Sequence, residues 1–472
     1  MEWFTDPGLG LSRLVIQRGL AVIYLVAFVS TATQFRALIG ERGILPVPAF
    51  VRRVRFREAP SLFHWHYSDR FFAGCAWTGA LLSALLAAGA GDAVPLWAAT
   101  AAWAVLWLLY LSIVNVGQTW YGFGWETLLL EAGFLGILLG NAETGPPVLV
   151  LWLLRWLVFR VEFGAGLIKW RGDRCWRELT CLTYHHETQP MPGPLSWFFH
   201  HLPRRLHRAE AAANHVAQLV VPFALFLPQP VATVAALLII TTQLWLVLSG
   251  NFSWLNWLTM VLALSAVDST LLGAPPASTD TAPGWFVGLT VAVTALTVIL
   301  SYWPVRNMLS RDQRMNASFN PVHLVNTYGA FGSVTRVRHE IVLEGTDATT
   351  VDPTTTWHAY EFRGKPGATG RLPRQFAPYH LRLDWMMWFA ALSPAAARGW
   401  LLPLVDRLLE NDPDTVRLLR VNPFTTAPPT RVRALLYRYR FTTPRERRET
   451  GDWWHRTLVR ELLPPHPGRH TP

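Results

Sequence analysis

Three charged residues sit at seven-residue spacing inside one apolar run, Arg155, Glu162 and Lys169 in the stretch from Val148 to Trp170. At 100° per residue, seven residues return to within about 20° of the starting direction, so the three share one face of a helix. Arg160 lies off that stripe. Charge inside hydrocarbon is costly and persists only with a partner or a task. The preceding apolar run offers Glu126 and Glu131 as counter-charges, and the two helices read together as one buried ionic network. Two chemistries follow: a staple that fixes helix register, or a polar chamber that holds a substrate group or relays protons. Lys169 stands near the helix end, where its stem can also carry the charge to the interface; kept from water, it has the makings of a base or nucleophile.

The second concentration of reactive types is the loop Cys175-Trp-Arg-Glu-Leu-Thr-Cys181-Leu-Thr-Tyr184-His185-His186-Glu187, continued by His200, His201 and His207. These are the residue types of a zinc site, but two cysteines with five residues between them followed by adjacent histidines match no common finger or ribbon, so no metal is expected. Cys175 and Cys181 can bridge if the loop faces an oxidising compartment, or stay free thiols if it faces the cytoplasm. Asn214, His215, Gln218, Asn251 and Asn256 have the character of interhelical hydrogen-bonding groups. The sequence has no Gly-rich phosphate loop, no Gly-x-Ser-x-Gly elbow and no His-Glu-x-x-His.

The elements that must position these groups are membrane helices. Hydrophobic residues make up 51% of the 472 positions and charged residues 15%, outside the usual range of a water-soluble domain. A spanning helix needs about 20 mostly apolar residues, because its backbone must satisfy itself once water is gone. About nine segments meet that measure, near 13–35, 70–90, 94–116, 122–140, 147–170, 211–228, 230–249, 251–268 and 284–304. The first is the weakest, with an uninterrupted apolar core only over 19–33. Glu2 and Asp6 replace the basic start of a cleaved signal, so this first run reads as a retained helix.

Charge divides the connections into two kinds. The loop 36–69 carries Arg36, Arg42, Arg52, Arg53, Arg55 and Arg57, and the loop 171–210 carries Arg171, Arg174, Arg177, Arg204, Arg205 and Arg208. The turns 89–95, 141–147 and 267–283 hold Asp92, Glu143, Asp268 and Asp280 and neither Lys nor Arg. With nine helices the two kinds fall on opposite faces, and the positive-inside rule puts the basic loops in the cytoplasm.

From Arg306 onward there are 24 Lys/Arg against 15 Asp/Glu, so most of the formal +11 charge is C-terminal. No nucleic-acid-binding signature accompanies it, and the partners expected are the lipid bilayer and protein rather than nucleic acid. Residues 1–304 thus read as a transmembrane helical domain and 305–472 as a β-rich soluble domain. Val337, His339, Ile341 and Leu343 alternate with polar neighbours, and Tyr437, Tyr439 and Phe441 alternate with Arg438 and Arg440, the period of strands. The apolar segment 383–392 is too short to span and suits either an amphipathic interface helix or a core helix.

Several long motifs resemble the lipase maturation factor family: Arg171-Gly-Asp-Arg-Cys-Trp through Tyr-His-His-Glu-Thr-Gln-Pro190, Ser249-Gly-Asn-Phe-Ser-Trp-Leu-Asn-Trp257, His323-Leu-Val-Asn-Thr-Tyr-Gly329 and Pro378-Tyr-His-Leu-Arg-Leu-Asp-Trp385. The resemblance covers nearly the whole chain. It implies a multi-pass membrane protein without cofactor or established catalytic residues, which assists folding and assembly of secreted lipases. Animal members reside in the endoplasmic reticulum; a bacterial member would occupy the plasma membrane. The resemblance also makes the C-terminal domain and the loop from Cys175 to His207 client-binding candidates, with Tyr184, His185, His186 and Glu187 singled out in the loop, and turns that loop and the C-terminal domain toward the lumen, opposite to the charge rule. A shorter stretch, Phe163-Gly-Ala-Gly-Leu-Ile-Lys169-Trp, resembles a helix end of the vitamin K-dependent gamma-carboxylase and its bacterial relatives, which implies an alternative: lipid or quinone chemistry with Lys169 as base.

Overall fold

The computed structural model describes residues 2–275 and 282–468; Asp280, counted above with the acidic turns, lies outside them. The helices that position the site are α1 (Gly10–Ile39), α2 (Asp69–Ala88), α3 (Leu96–Val116), α4 (Gly124–Gly136), α5 (Val148–Arg171), α6 (Leu182–Thr188), α7 (Arg204–Leu219), α8 (Val231–Ser249), α9 (Leu255–Ala263), α10 (Gly284–Leu300) and α11 (Arg382–Leu392). Among the described residues, five helices are long and apolar enough to cross a membrane: α1 with the turn before it, α2, α3, α8, and α10 with its continuation to Leu309.

The other segments among the roughly nine expected do not meet that measure of length and composition, for reasons that differ from helix to helix. Helix α4 has 13 residues and α9 has 9, and at 1.5 Å per residue neither covers the roughly 30 Å of hydrocarbon. The stretch near 211–228 breaks at Val220, and Pro222 opens a separate four-residue turn because proline cannot donate into the preceding ladder. Helix α5 is long enough at 24 residues but carries four charges in its interior. Conversely, α1 is longer than its apolar core, since Arg13 donates to the Asn141 and Thr144 carbonyls at 2.5 and 2.7 Å, and Gln17 to the Gly140 carbonyl at 2.6 Å.

The two kinds of connection gather at the two ends of α1. Around its start, the Asp6 N–H donates to the Pro146 carbonyl at 3.0 Å, Ser12 to the Val267 carbonyl at 2.6 Å, and Arg18 pairs with Asp92 at 2.5 Å. At the far end, Asn115 donates to the carbonyls of Pro60 and Pro321 at 2.8 and 3.1 Å, and Gln118 to the Leu45 carbonyl at 2.8 Å. The hairpin of α4 and α5 runs between these ends, largely enclosed by the other helices. Close approach makes this possible: a Cβ on Gly133 of α4 would overlap the Tyr24 hydroxyl of α1, which itself donates to the Leu129 carbonyl at 3.1 Å.

The C-terminal part carries the expected strands. β1 (Arg338–Thr346) and β5 (Arg431–Phe441) are central in a four-stranded antiparallel sheet of order β2-β1-β5-β6, where β2 is His358–Ala359 and β6 is Trp454–Pro467, while β3 (Glu361–Phe362) and β4 (Leu419–Val421) pair separately. Ile341 stands opposite Leu436 and Leu343 opposite Ala434, and these residues line the buried face. Of the two forms open to 383–392, the core helix is the one adopted: Leu383, Trp385, Met386 and Met387 of α11 are all buried.

Candidate functional site

The charges of α4 and α5 fall into separate clusters rather than one network. Arg160, off the predicted stripe, is the residue that pairs with Glu131, in a two-pronged ion pair buried on both sides. A segment from beyond the last span closes it. The Asn326 N–H and Tyr328 hydroxyl donate to Glu131 at 3.0 and 2.8 Å, and Arg160 donates to the Asn326 carbonyl at 2.8 Å. Glu126 is engaged elsewhere, by Arg382 at 2.5 Å, by the Tyr110 hydroxyl, and by His380 at 3.5 Å. In both pairs a guanidinium is shared between a carboxylate and a backbone carbonyl, Arg160 with the Asn326 carbonyl and Arg382 with that of Trp120, the charge-assisted geometry that suits its planar fork.

Two members of the stripe do meet, through an amide. Gln218 donates its Nε2 to Glu162 at 3.3 Å and accepts from Lys169 Nζ at 2.9 Å on Oε1. Gln243 donates to the other Glu162 oxygen at 2.5 Å, Asn214 accepts from Lys169 at 3.4 Å, and the ammonium lies 5.1 Å from the Trp176 ring. Arg155 is apart from both, donating to the Ser265 and Leu225 carbonyls at 3.0 and 3.4 Å. The arrangement gives each charge hydrogen-bond partners where it sits, and in doing so ties α4 and α5 to α7, α8 and the C-terminal part.

The loop 171–210 is folded onto that C-terminal part. Cys175 and Cys181 are joined as a disulfide, with Cα atoms 4.9 Å apart. Asp173 caps the turn before the bridge and takes both prongs of Arg336 at 2.9 Å. These hydrogen bonds, with the Cys175 N–H, draw its carboxyl down to about 2. The four residues singled out for client contact point in different directions. Tyr184 is exposed, with the Arg336 guanidinium 4.9 Å over its ring. His185 is buried edge-on against Phe331 at 4.8 Å, and His186 is buried against α7. Glu187 accepts from the Phe441 N–H at 2.7 Å, and burial raises its carboxyl above the ordinary range.

Arg338 of β1 completes the joint. It donates to the carbonyls of Glu187, Gln189 and Pro190 at 3.1, 2.5 and 3.0 Å while paired with Glu340 at 2.5 Å. Glu340 also takes Lys365 at 2.9 Å, both side chains being buried. Sequence reasoning missed Arg338, Glu340, His380, Arg382, Asn326 and Tyr328. The available signal was a charged residue flanked by apolar ones in the C-terminal part, as in Leu381-Arg382-Leu383.

Comparisons with known proteins place this geometry in context. The profile of the lipase maturation factor transmembrane domain matches residues 11–274, and that of the lipase maturation factor C-terminal domain matches residues 324–464. Lipase maturation factor 1 of Bos taurus is 41% identical over 96% of this chain and 89% of its own length. Lipase maturation factor 1 of Homo sapiens is 41% identical over 96% and 88%, and lipase maturation factor 2 of Gallus gallus is 29% identical over 96% and 81%. No solved structure matches. The matched transmembrane domain and the apolar helices within it make the chain an integral membrane protein. With both domains matched in order and the similarity running nearly end to end, the chain belongs to the lipase maturation factor family.

Proposed function

We propose that this chain is a membrane-embedded maturation factor that assists folding or assembly of a secreted client protein, with a lipase as the client class that its relatives' names supply. The observation that carries this reading is the continuity of the similarity through both the membrane part and the C-terminal part, 96% of the chain. The alternative of lipid or quinone chemistry is not favoured by these relatives, and Lys169 is engaged by Gln218 and Asn214. We further place the loop 171–210 and the C-terminal part on the non-cytoplasmic side, since a disulfide persists in an oxidising compartment. That is the lumen of the endoplasmic reticulum in a eukaryotic cell and the outer side of the plasma membrane in a bacterium. Client contact would then fall around the exposed Tyr184 and Phe198.

The test is deletion in the native cell, followed by the specific activity of secreted lipase per unit of lipase protein. Specific activity should fall while lipase synthesis is unchanged, and the full-length chain should restore it. Unaltered specific activity across the secreted lipases refutes the reading.

A further inference from the structure

Helices α6 and α7 bring three metal-ligating side chains together in a place the sequence spacing had pointed away from. His207 and Glu210 stand three residues apart on α7, hence one above the other on the same face. His186 of α6 is buried against them, its ring 5.6 Å from that of His207. One ligand atom from each of the three lies within 4.8 Å of the other two. His186 Nε2 and Glu210 Oε2 are 3.6 Å apart.

The polar atoms of this cluster are short of partners in a way that an ion would cure. Neither ring nitrogen of His186 makes a hydrogen bond, and the same holds for Glu210 Oε2 and His207 Nδ1, all of them buried. Leaving such groups unsatisfied away from water is destabilising. The surroundings already orient the donors. Trp245 Nε1 donates to Glu210 Oε1 at 2.8 Å, which leaves Oε2 turned inward. His207 Nε2 faces the His200 carbonyl at 3.4 Å; a proton held there puts the lone pair on Nδ1, the outer-shell device by which metal-bound imidazoles are oriented. Phe199 covers His186, ring centres 5.4 Å apart.

We propose that His186, His207 and Glu210 bind one divalent transition-metal ion of borderline softness, with water in the remaining position, and that Zn2+ fits it. Two imidazoles and a carboxylate are a recognised zinc donor set. Ligand atoms on a common ion at about 2.1 Å stand about 3.4 Å apart, so ligand atoms now within 4.8 Å of one another have at most about 1.4 Å to close. The ion pins α6 to α7 across the intervening loop, and thereby holds Glu187 against the Phe441 N–H of the sheet.

The experiment uses the full-length protein in detergent, stripped with a chelator, dialysed, and titrated with Zn2+ and separately with Co2+. The parent should take up about one ion per chain, with the visible absorption of four-coordinate Co2+. Glu210→Gln, which keeps the Trp245 hydrogen bond, and His207→Gln should each weaken binding by about tenfold or more. His201→Gln, whose Nδ1 faces the Trp197 carbonyl at 2.7 Å, should leave it unchanged. Because His207→Gln could fail to fold, the rise in Tm on adding Zn2+ is compared for the parent and Glu210→Gln, and it should be largely lost in the variant. No bound ion in the parent, equal affinity in Glu210→Gln, or equal loss in His201→Gln overturns the proposal.

Discussion

Arg160→Met removes one half of the buried ion pair with Glu131 while keeping a long apolar stem in its place. The side chains are 1% and 3% exposed, so the carboxylate left behind cannot recruit bulk water. Breaking such a pair typically costs 3 to 5 kcal/mol. Glu131 would keep three donors, the Asn326 N–H at 3.0 Å, the Asn326 amide at 3.2 Å and the Tyr328 hydroxyl at 2.8 Å, which places the loss near the lower figure, about 3 kcal/mol. Glu131→Leu is the harsher change. Arg160 would be left with the Asn326 carbonyl and the faces of Trp156 and Tyr328, and the loss moves toward about 5 kcal/mol. The double variant leaves no stranded charge and should lose less than the two singles together by at least about 1 kcal/mol. Thermal unfolding of the detergent-purified protein reads this directly, at about 2 °C per kcal/mol for a large chain. Additive losses in the double variant would refute the pairing.

Three further outcomes follow from the geometry. Arg382→Met strands Glu126 and should release α11 from the bundle, seen as earlier proteolytic cleavage within 372–400, with a loss of about 3 kcal/mol or more. Replacing both Cys175 and Cys181 with Ser reopens a short loop worth about 2 kcal/mol and should speed tryptic cleavage at Arg174 and Arg177. Asp173, drawn down to about 2 by Arg336, stabilises the same turn above its unfolded value near 4 and loses that contribution as pH falls toward 2; the pair is partly exposed, so the effect on amide exchange around 173–177 should stay at about 1 kcal/mol or less and vanish in Asp173→Asn.

Sequence patterns exposed what depends on neighbours along the chain and concealed what depends on partners far from it. The alternation through Val337–Leu343 and Tyr437–Phe441 identified β1 and β5, because a strand's two faces are written at period 2, and the two do pair, with His339 opposite Arg438. The sevenfold spacing of Glu162 and Lys169 gave their common face, and Gln218 supplies what joins them. The counter-ions were another matter. Glu126 finds Arg382 at a separation of 256 residues, and Glu131 finds Asn326 at 195; no local period encodes that. Segments enclosed by protein and segments facing lipid are equally apolar, so α4 and α9 read as spans although their helices have only 13 and 9 residues. The cluster of His186, His207 and Glu210 was unreadable as a motif since its members come from two helices whose approach only the fold decides.

The closing of the Glu131–Arg160 pair by Asn326, and of Glu126 by Arg382, sets an order on biogenesis. Both carboxylates stand on α4 and are made early in synthesis; Arg160 follows Glu131 within 29 residues, yet Asn326, which closes that pair, and Arg382, the counter-ion of Glu126, are made roughly 200 or more residues later. At a ribosomal pace of about 5–20 residues per second, Glu126 waits about ten seconds or more for its guanidinium. During that interval the hairpin must stay at the membrane surface or lean on a chaperone. A chain truncated after α10 would never complete its own interior, so the helices of this protein become a finished membrane body only once its last third has been translated and folded back upon them.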